Sequence, residues 1–163
     1  MIFRGVVAAA LMCALPAQAQ DALITYKSLS PEVALELARA TLSACRERGF
    51  QVAVAVVDRF GVTQVVLRDR FAGAHTVSTA TGKAWTAVSF RTSSGDLANL
   101  TQPGMPQAGV RALPGVVAIG GGMMVEAGGS IVGGIGVSGA PVGDADEACA
   151  KVGMEAVRDK LEF

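Results

Sequence analysis

The sequence predicts an α+β fold, in which a five-stranded antiparallel sheet carries helices packed on one face. Residues 52–57 form an unbroken apolar and mostly β-branched run, which is typical of a strand covered on both faces. Eleven of the 20 glycines fall within residues 115–143, where they separate three short apolar runs that are typical of strands. Amphipathic helical patterns lie before, between and after these strands, and such an order is typical of α+β domains.

The first predicted helix begins with Ser30 as N-cap and Pro31 at its first position, and Gly49 ends it. Residues 24–27, which precede it, are either a short edge strand or an extended arm. A hairpin follows, with strands at 52–57 and 62–68. Its turn contains Asp58, which is expected to accept turn hydrogen bonds, and Gly61, which can take a positive φ.

The second predicted helix spans residues 76–88 and buries a stripe of mostly small side chains. A second stripe carries His75, Thr79, Lys83 and Thr86, at spacings of i, i+4, i+8 and i+11. Side chains at these spacings stack along one side of a helix. This polar stripe is therefore expected to line a pocket or a subunit contact.

The remaining segments follow from local signals. Residues 92–100 form one or two helical turns, and residues 101–115 are a loop rich in Pro and Gly. Strands are predicted at 116–119, 123–126 and 130–137. Glycines inside such strands mark bulges or places where something approaches the backbone closely. Asp144, with Glu147 three residues later, is expected to cap the last helix.

The first 19 residues have the features of a secretory signal. Arg4 precedes an apolar run at 5–15 that is too short to span a bilayer, and residues 17–19 form an A-x-A cleavage site. We therefore expect a periplasmic or secreted protein of residues 20–163, without membrane insertion after cleavage. Cys45 and Cys149 both lie on apolar helix faces, so they either form a disulfide or are two buried thiols.

Charge and composition exclude one class of partner. The chain has 14 basic and 14 acidic residues, which provides none of the clustered positive charge that nucleic acids require. A domain so rich in Ala, Val and Gly is expected to bury additional surface as a homo-oligomer.

Five motifs in this order resemble the GlcG/HbpS family, which is related to the C-terminal domain of PduO-type proteins. They are VAVVDxxG at 54–61, KAxTAxxF at 83–90, PGxVxIGGG at 114–122, GxIGVSGA at 133–140 and DEACA at 146–150. The resemblance makes residues 20–163 a single domain of this family. It implies a five-stranded antiparallel sheet, assembly into dimers up to octamers, and haem as a ligand of some members. It assigns no axial haem ligand to a position of this chain.

Haem requires an apolar slot, cations for its propionates and an axial ligand. His75 is the candidate metal ligand, because imidazole suits iron; the alternative is a histidine that hydrogen-bonds locally at a helix start. Lys83 could meet a carboxylate or be a surface or subunit-contact lysine, and Arg68 could act likewise or be a solvated charge. Further candidate ligand-binding residues are Thr79, Phe90, Gly121 and Gly122. An aromatic residue at a helical position, such as Phe90, more often belongs to the core.

Two functions of different classes are compatible with these residues. The preferred one is a haem- or porphyrin-binding protein that acts in sequestration or sensing. The alternative is a small-molecule enzyme of lyase or isomerase type, acting on an organic acid or aromatic compound with His75, Lys83 and Asp58 as acid/base groups. Neither a Ser/His/Asp arrangement nor a dense carboxylate cluster supports hydrolysis, and the sequence contains no metal motif.

Overall fold

The computed structural model describes residues 23–162. The signal sequence predicted at residues 1–19 lies outside them. In chain order the elements are α1 (Pro31–Glu47), β1 (Ala53–Asp58), β2 (Thr63–Arg68), α2 (Thr76–Phe90), α3 (Ser94–Leu100), β3 (Gly122–Ala127), β4 (Ser130–Ser138) and α4 (Gly143–Ala156). Short 3-10 helices occupy Ala108–Ala112 and Arg158–Lys160. Within the described part of the chain, none of the helices has the length and hydropathy needed to cross a membrane.

The antiparallel α+β architecture is confirmed, but the sheet has four strands in the order β2-β1-β4-β3 instead of the predicted five. The missing strand is the one predicted at residues 116–119, which have no regular structure. Their backbone groups bond to side chains: Val117 N donates to Thr86 Oγ1 at 2.9 Å, and the Ile119 carbonyl accepts from Ser94 Oγ at 2.6 Å. Hydroxyl groups of two helices thus replace the neighbouring strand that a sheet would require.

Helices cover both faces of the sheet, so the expectation of helices on one face is wrong. Val54 and Val56 of β1 point to the core beneath α1 and α4. Ala53, Ala55 and Val57, which alternate with them, contact α2 on the opposite face. This alternation explains why β1 is apolar throughout, since each face of the strand meets its own helix layer.

The glycines of β4 allow α2 to lie directly on the sheet. A Cβ atom added to Gly136 would lie 2.0 Å from the Ala80 carbonyl oxygen, and one added to Gly134 would lie 3.0 Å from that of Ala84. The close approach predicted for glycines in these strands therefore occurs, and the approaching group is the backbone of α2. The small side chains along this helix serve the same contact.

Local predictions for the first half of the domain are confirmed. The Ser30 hydroxyl accepts from Val33 N at the start of α1, and Gly49 has a φ of 78° after its end. In the hairpin, Asp58 Oδ1 accepts from the backbone N–H groups of Phe60 and Val62. Residues 24–27 form an extended arm without strand structure.

The last helix differs from its prediction. α4 begins at Gly143, and its start has no side-chain cap, so Asp144 does not cap it. Its buried positions include Asp146 and Cys149, whereas the apolar Val152 is exposed. Cys149 forms a disulfide with Cys45 of α1, with a Cα–Cα distance of 5.3 Å. Of the two alternatives for these cysteines, the bridge is therefore present.

Candidate functional site

A groove of about 600 Å³ lies where the N-terminal half of α2 meets the start of α4. The connection from β4 to α4 forms one wall, and the segment before α2 forms the other. Three large apolar side chains in the lining are more than half exposed: Phe71 (80%), Val142 (61%) and Ile119 (54%). Apolar side chains left in water around a concave surface are typical of a site for a ligand or partner.

Lys83 and Asp146 form a buried ion pair in this groove. The Nζ atom of Lys83 lies 2.8 Å from Asp146 Oδ2 and 2.9 Å from the Val137 carbonyl oxygen. The other carboxylate oxygen of Asp146 accepts from Ala140 N at 3.0 Å. Both side chains are 3% exposed. An ammonium has three donors, so these contacts use two of those of Lys83.

Burial raises the pKa of the Asp146 carboxyl, because removal from water penalises its charged form. The hydrogen bond and the charge of Lys83 act in the opposite direction, as do the backbone donors of Ala140 and Gly139. A buried carboxyl that is held against a lysine can exchange a proton with a group entering the groove. Such pairs are also found as purely structural elements of a core.

His75 stands at the edge of the groove and begins α2. It occupies the N-cap position, but its side chain makes no capping bond, and its imidazole is exposed. A Cβ atom on Gly73 would lie 2.7 Å from the ring, so the absence of a side chain there makes room for the imidazole. The His75 carbonyl oxygen accepts from the Thr79 hydroxyl at 2.9 Å, one turn along the same stripe.

The segment before His75 is tied to the rest of the domain by charged side chains. Asp69, which is buried, accepts from Arg46 Nε at 2.7 Å and thereby joins the segment to the last turn of α1. The Arg68 guanidinium donates to the Ala72 carbonyl oxygen. These bonds hold the wall of the groove that carries Phe71 and His75.

Gly121 and Gly122 are buried behind the ion pair. A Cβ atom on Gly121 would lie 2.8 Å from Lys83 Nζ and 2.9 Å from Asp146 Cβ. One on Gly122 would lie 2.2 Å from the Lys83 carbonyl oxygen. Both glycines therefore give space to Lys83, whose position depends on them.

The structure brings three of the predicted site residues to the groove, namely His75, Thr79 and Lys83. Arg68 is exposed and does not line it. Phe90 lies at the other end of α2, 15 residues from His75 and thus about 22 Å along the helix axis; it packs edge-on against Trp85.

Sequence reasoning missed Asp146 as a site residue. The sequence did contain a signal for this residue. The buried face of α4 follows the spacing i, i+3, i+4 and i+7, and its residues are Asp146, Cys149, Ala150 and Gly153. A carboxylate on such a face requires a cation. The buried Lys83 is that cation, so among the alternatives for Lys83 the surface lysine is excluded.

Comparisons with known proteins agree on one family. The model of the family described as "Haem degrading protein HbpS-like" matches residues 29–155. The solved structure of HbpS is 40% identical, with a TM-score of 0.78, covering 83% of this chain and 94% of that one. A solved PduOC:Heme complex is 31% identical, with a TM-score of 0.75, covering 79% of this chain and 94% of that one.

Curated relatives include the corrinoid adenosyltransferase PduO of Salmonella typhimurium, which is 35% identical over 109 residues. The match covers 66% of this chain and 32% of that protein, so the chain spans about a third of this relative's length.

Proposed function

Because the chain belongs to the HbpS-like family, we propose that it binds haem, or a related porphyrin, in the groove beside His75. The observation that carries this proposal is the coincidence of an exposed imidazole with exposed apolar side chains around one concavity. Its volume of about 600 Å³ falls within the range of about 300–1,000 Å³ that is usual for ligand sites. The solved PduOC:Heme complex, at 31% identity, supports the same ligand class.

The residues present fit the parts of a haem. The His75 imidazole, which makes no capping bond, would serve as the axial ligand to iron. Phe71, Ile119 and Val142 would contact the faces of the macrocycle. The third donor of Lys83 would meet a propionate, while Asp146 keeps the ammonium in place. Bound haem would supply a redox-active iron, and the protein side chains would control its exposure to water.

We assign this binding to sequestration or sensing outside the cytoplasm. The Cys45–Cys149 disulfide supports export, because such bonds persist mainly in oxidising compartments. Assembly into a homo-oligomer belongs to the same proposal and is supported by the many exposed apolar side chains outside the groove, among them Leu100 and Leu113. Gel filtration with light scattering tests it, and a monomer at micromolar concentration contradicts it.

A second candidate, an enzyme for a small organic acid, is favoured by one observation. The Lys83–Asp146 pair lies in the groove, and the pKa of the Asp146 carboxyl is raised by burial. A lysine donor beside a carboxyl can take part in proton transfer. Turnover of an organic acid that is abolished in Asp146→Asn, with the fold retained, would favour this candidate over simple binding.

A hemin titration of the chain beginning at Gln20 tests the binding proposal. We expect a Soret shift that saturates at one haem per chain, and an affinity that falls at least about tenfold in His75→Ala because a coordinate bond is lost. Arg39→Ala, on an exposed position of α1, is the matched control and should titrate as the wild type does. An unchanged spectrum at micromolar hemin would contradict haem binding. If His75→Ala binds hemin as tightly as the wild type, only the role of His75 as axial ligand is contradicted.

A further inference from the structure

A second concavity, which we call the arginine cleft, lies at the opposite end of α2 from His75. Its lining includes Tyr26, Arg59, Phe60, Arg91, Met124 and Glu126, and its volume is about 630 Å³. The cleft shares no lining residue with the groove. The volumes of the cleft and the groove are nearly equal, so the side chains that line them, and not the space available, distinguish the ligands that each can bind.

Arg59 is held in this cleft by two aromatic rings. Its guanidinium carbon lies 4.5 Å from the centroid of the Tyr26 ring and 5.6 Å from that of Phe60. The two rings contact each other edge-on at 5.3 Å. A guanidinium fixed over aromatic faces keeps its N–H groups for other acceptors. Among residues 23–162, a 3.4 Å bond to the Lys27 carbonyl oxygen is the one hydrogen bond that the Arg59 guanidinium donates.

Arg91 reaches the cleft from an unfavourable backbone conformation. It follows α2 with φ 54° and ψ 43°, and it is the only non-glycine residue with positive φ among residues 23–162. Glycine is the usual residue after a helix in this conformation, because it has no Cβ to clash. Arg91 therefore adopts this conformation at a cost that glycine would not have.

The charges of the cleft are not balanced internally. Within the part of the chain that the structure describes, neither Arg59 nor Arg91 forms an ion pair. Glu126 is the one carboxylate in the lining, against two guanidiniums. In the groove, by contrast, Lys83 and Asp146 neutralise each other. The cleft therefore favours a ligand with one negative charge.

The cleft also has an apolar part. Val88, Met124 and Ile131 come from α2, β3 and β4 and line it beside the two arginines. Val88 is buried, and the other two are half-buried. A ligand that fits must therefore join an apolar body to its anionic group.

We propose that the arginine cleft binds a small aromatic carboxylate. The carboxylate accepts hydrogen bonds from Arg59 and Arg91, and the ring system lies on Met124 and Ile131. Guanidinium suits this group because its planar N–H groups match the two oxygens of a carboxylate. This site is separate from the haem groove and does not depend on the function proposed for it.

Isothermal titration calorimetry with 2-naphthoate and 2-naphthamide, which share a shape and differ in charge, tests the proposal. We expect the wild-type protein to bind naphthoate at least about tenfold more tightly than the amide. Arg59→Met and Arg91→Gly should each weaken naphthoate binding about tenfold. Glu126→Gln should strengthen it several-fold, because a like charge is removed, and higher salt should weaken it.

Arg91→Gly separates binding from folding. Since glycine suits the positive φ, this variant should melt at the wild-type temperature or about 2–4 °C higher, although it binds less naphthoate. Arg39→Ala, on an exposed position of α1 away from both concavities, should bind naphthoate as the wild type does. Equal affinity for acid and amide, or unchanged naphthoate affinity in both Arg91→Gly and Glu126→Gln, would overturn the proposal.

Discussion

Lys83 Nζ lies 2.8 Å from Asp146 Oδ2, although 63 residues separate the two along the chain. The pair joins α2 on one face of the sheet to α4 on the other, past the end of β4, where Lys83 also binds the Val137 carbonyl oxygen. Both layers of helices thus contribute a charged side chain to the groove. The position of one charge cannot change without leaving the other unpaired in a buried place.

Removing one partner of this pair should destabilise the fold strongly. We expect Lys83→Met to lower the free energy of unfolding by about 3–5 kcal/mol, because the Asp146 carboxylate loses its counterion in a buried position. The double variant with Asp146→Leu should retain more stability than either single variant. Urea unfolding at pH 7 measures all three.

The exposed pair of Arg158 and Glu155 is the matched control for this experiment. Its side chains are 58% and 61% exposed, so Arg158→Ala should change stability by less than about 1 kcal/mol. Strictly additive effects of the two substitutions in the buried pair would show that Lys83 and Asp146 are not coupled.

The raised pKa of the Asp146 carboxyl predicts a pH dependence of stability. Because the native state binds the proton more readily than the unfolded state, whose value is near 3.8, this group stabilises the fold at low pH. Its contribution is lost as the pH rises through the folded-state pKa. The stability of the wild type relative to Asp146→Asn should therefore increase as the pH is lowered from 7 towards 4.

Urea unfolding at several pH values measures this difference, and Asp144→Asn controls for the loss of a carboxylate at the same end of α4. If the stability of the wild type relative to Asp146→Asn instead decreases towards pH 4, the Lys83 charge lowers the pKa of the Asp146 carboxyl by more than burial raises it.

The contact between α2 and β4 predicts a large effect of one methyl group. In Gly136→Ala the new Cβ would lie 2.0 Å from the Ala80 carbonyl oxygen, so the helix must move away from the sheet. We expect a loss of about 1–3 kcal/mol or more in the free energy of unfolding. Gly109→Ala, where a Cβ meets nothing within 4 Å and φ is not positive, should be neutral. Equal thermal midpoints for the two variants would contradict the close contact.

The disulfide should contribute substantially to stability. Cys45 and Cys149 are 104 residues apart, and closing a loop of about 100 residues is worth roughly 3–5 kcal/mol. The double variant Cys45→Ala/Cys149→Ala should lose about this amount, and dithiothreitol should then have no further effect on its unfolding. A thiol assay in denaturant gives an independent test, since two free thiols in the chain from Gln20 would exclude the bridge.

Predictions from local sequence were accurate where local interactions determine the structure. The Ser30 cap, the positive φ of Gly61 and the hydrogen bonds of Asp58 each involve residues within a few positions of one another. Residues 116–119 show the limit of such reasoning. They have a strand-like composition, but the hydroxyls of Thr86 and Ser94, 25 to 31 positions earlier in the chain, bind their backbone instead.

The candidate site was predicted in part for a similar reason. Of the stripe predicted from helical spacing, His75, Thr79 and Lys83 line one concavity, whereas Thr86 bonds to the backbone of Val117 instead. The same spacing does not distinguish a solvated lysine from a buried one, because that depends on Asp146 in a distant helix. Phe90 shares the helix, but its distance from His75 along the axis separates it from the groove.

The bond between Cys45 and Cys149 joins the first helix of the domain to its last, and the whole sheet lies between them in the chain. The largely exposed segment at residues 101–115 belongs to the same covalent ring. If a protease cuts that segment once, the two fragments stay linked and separate only on a reducing gel. A protein cut once in this segment would keep both halves together until the disulfide is reduced.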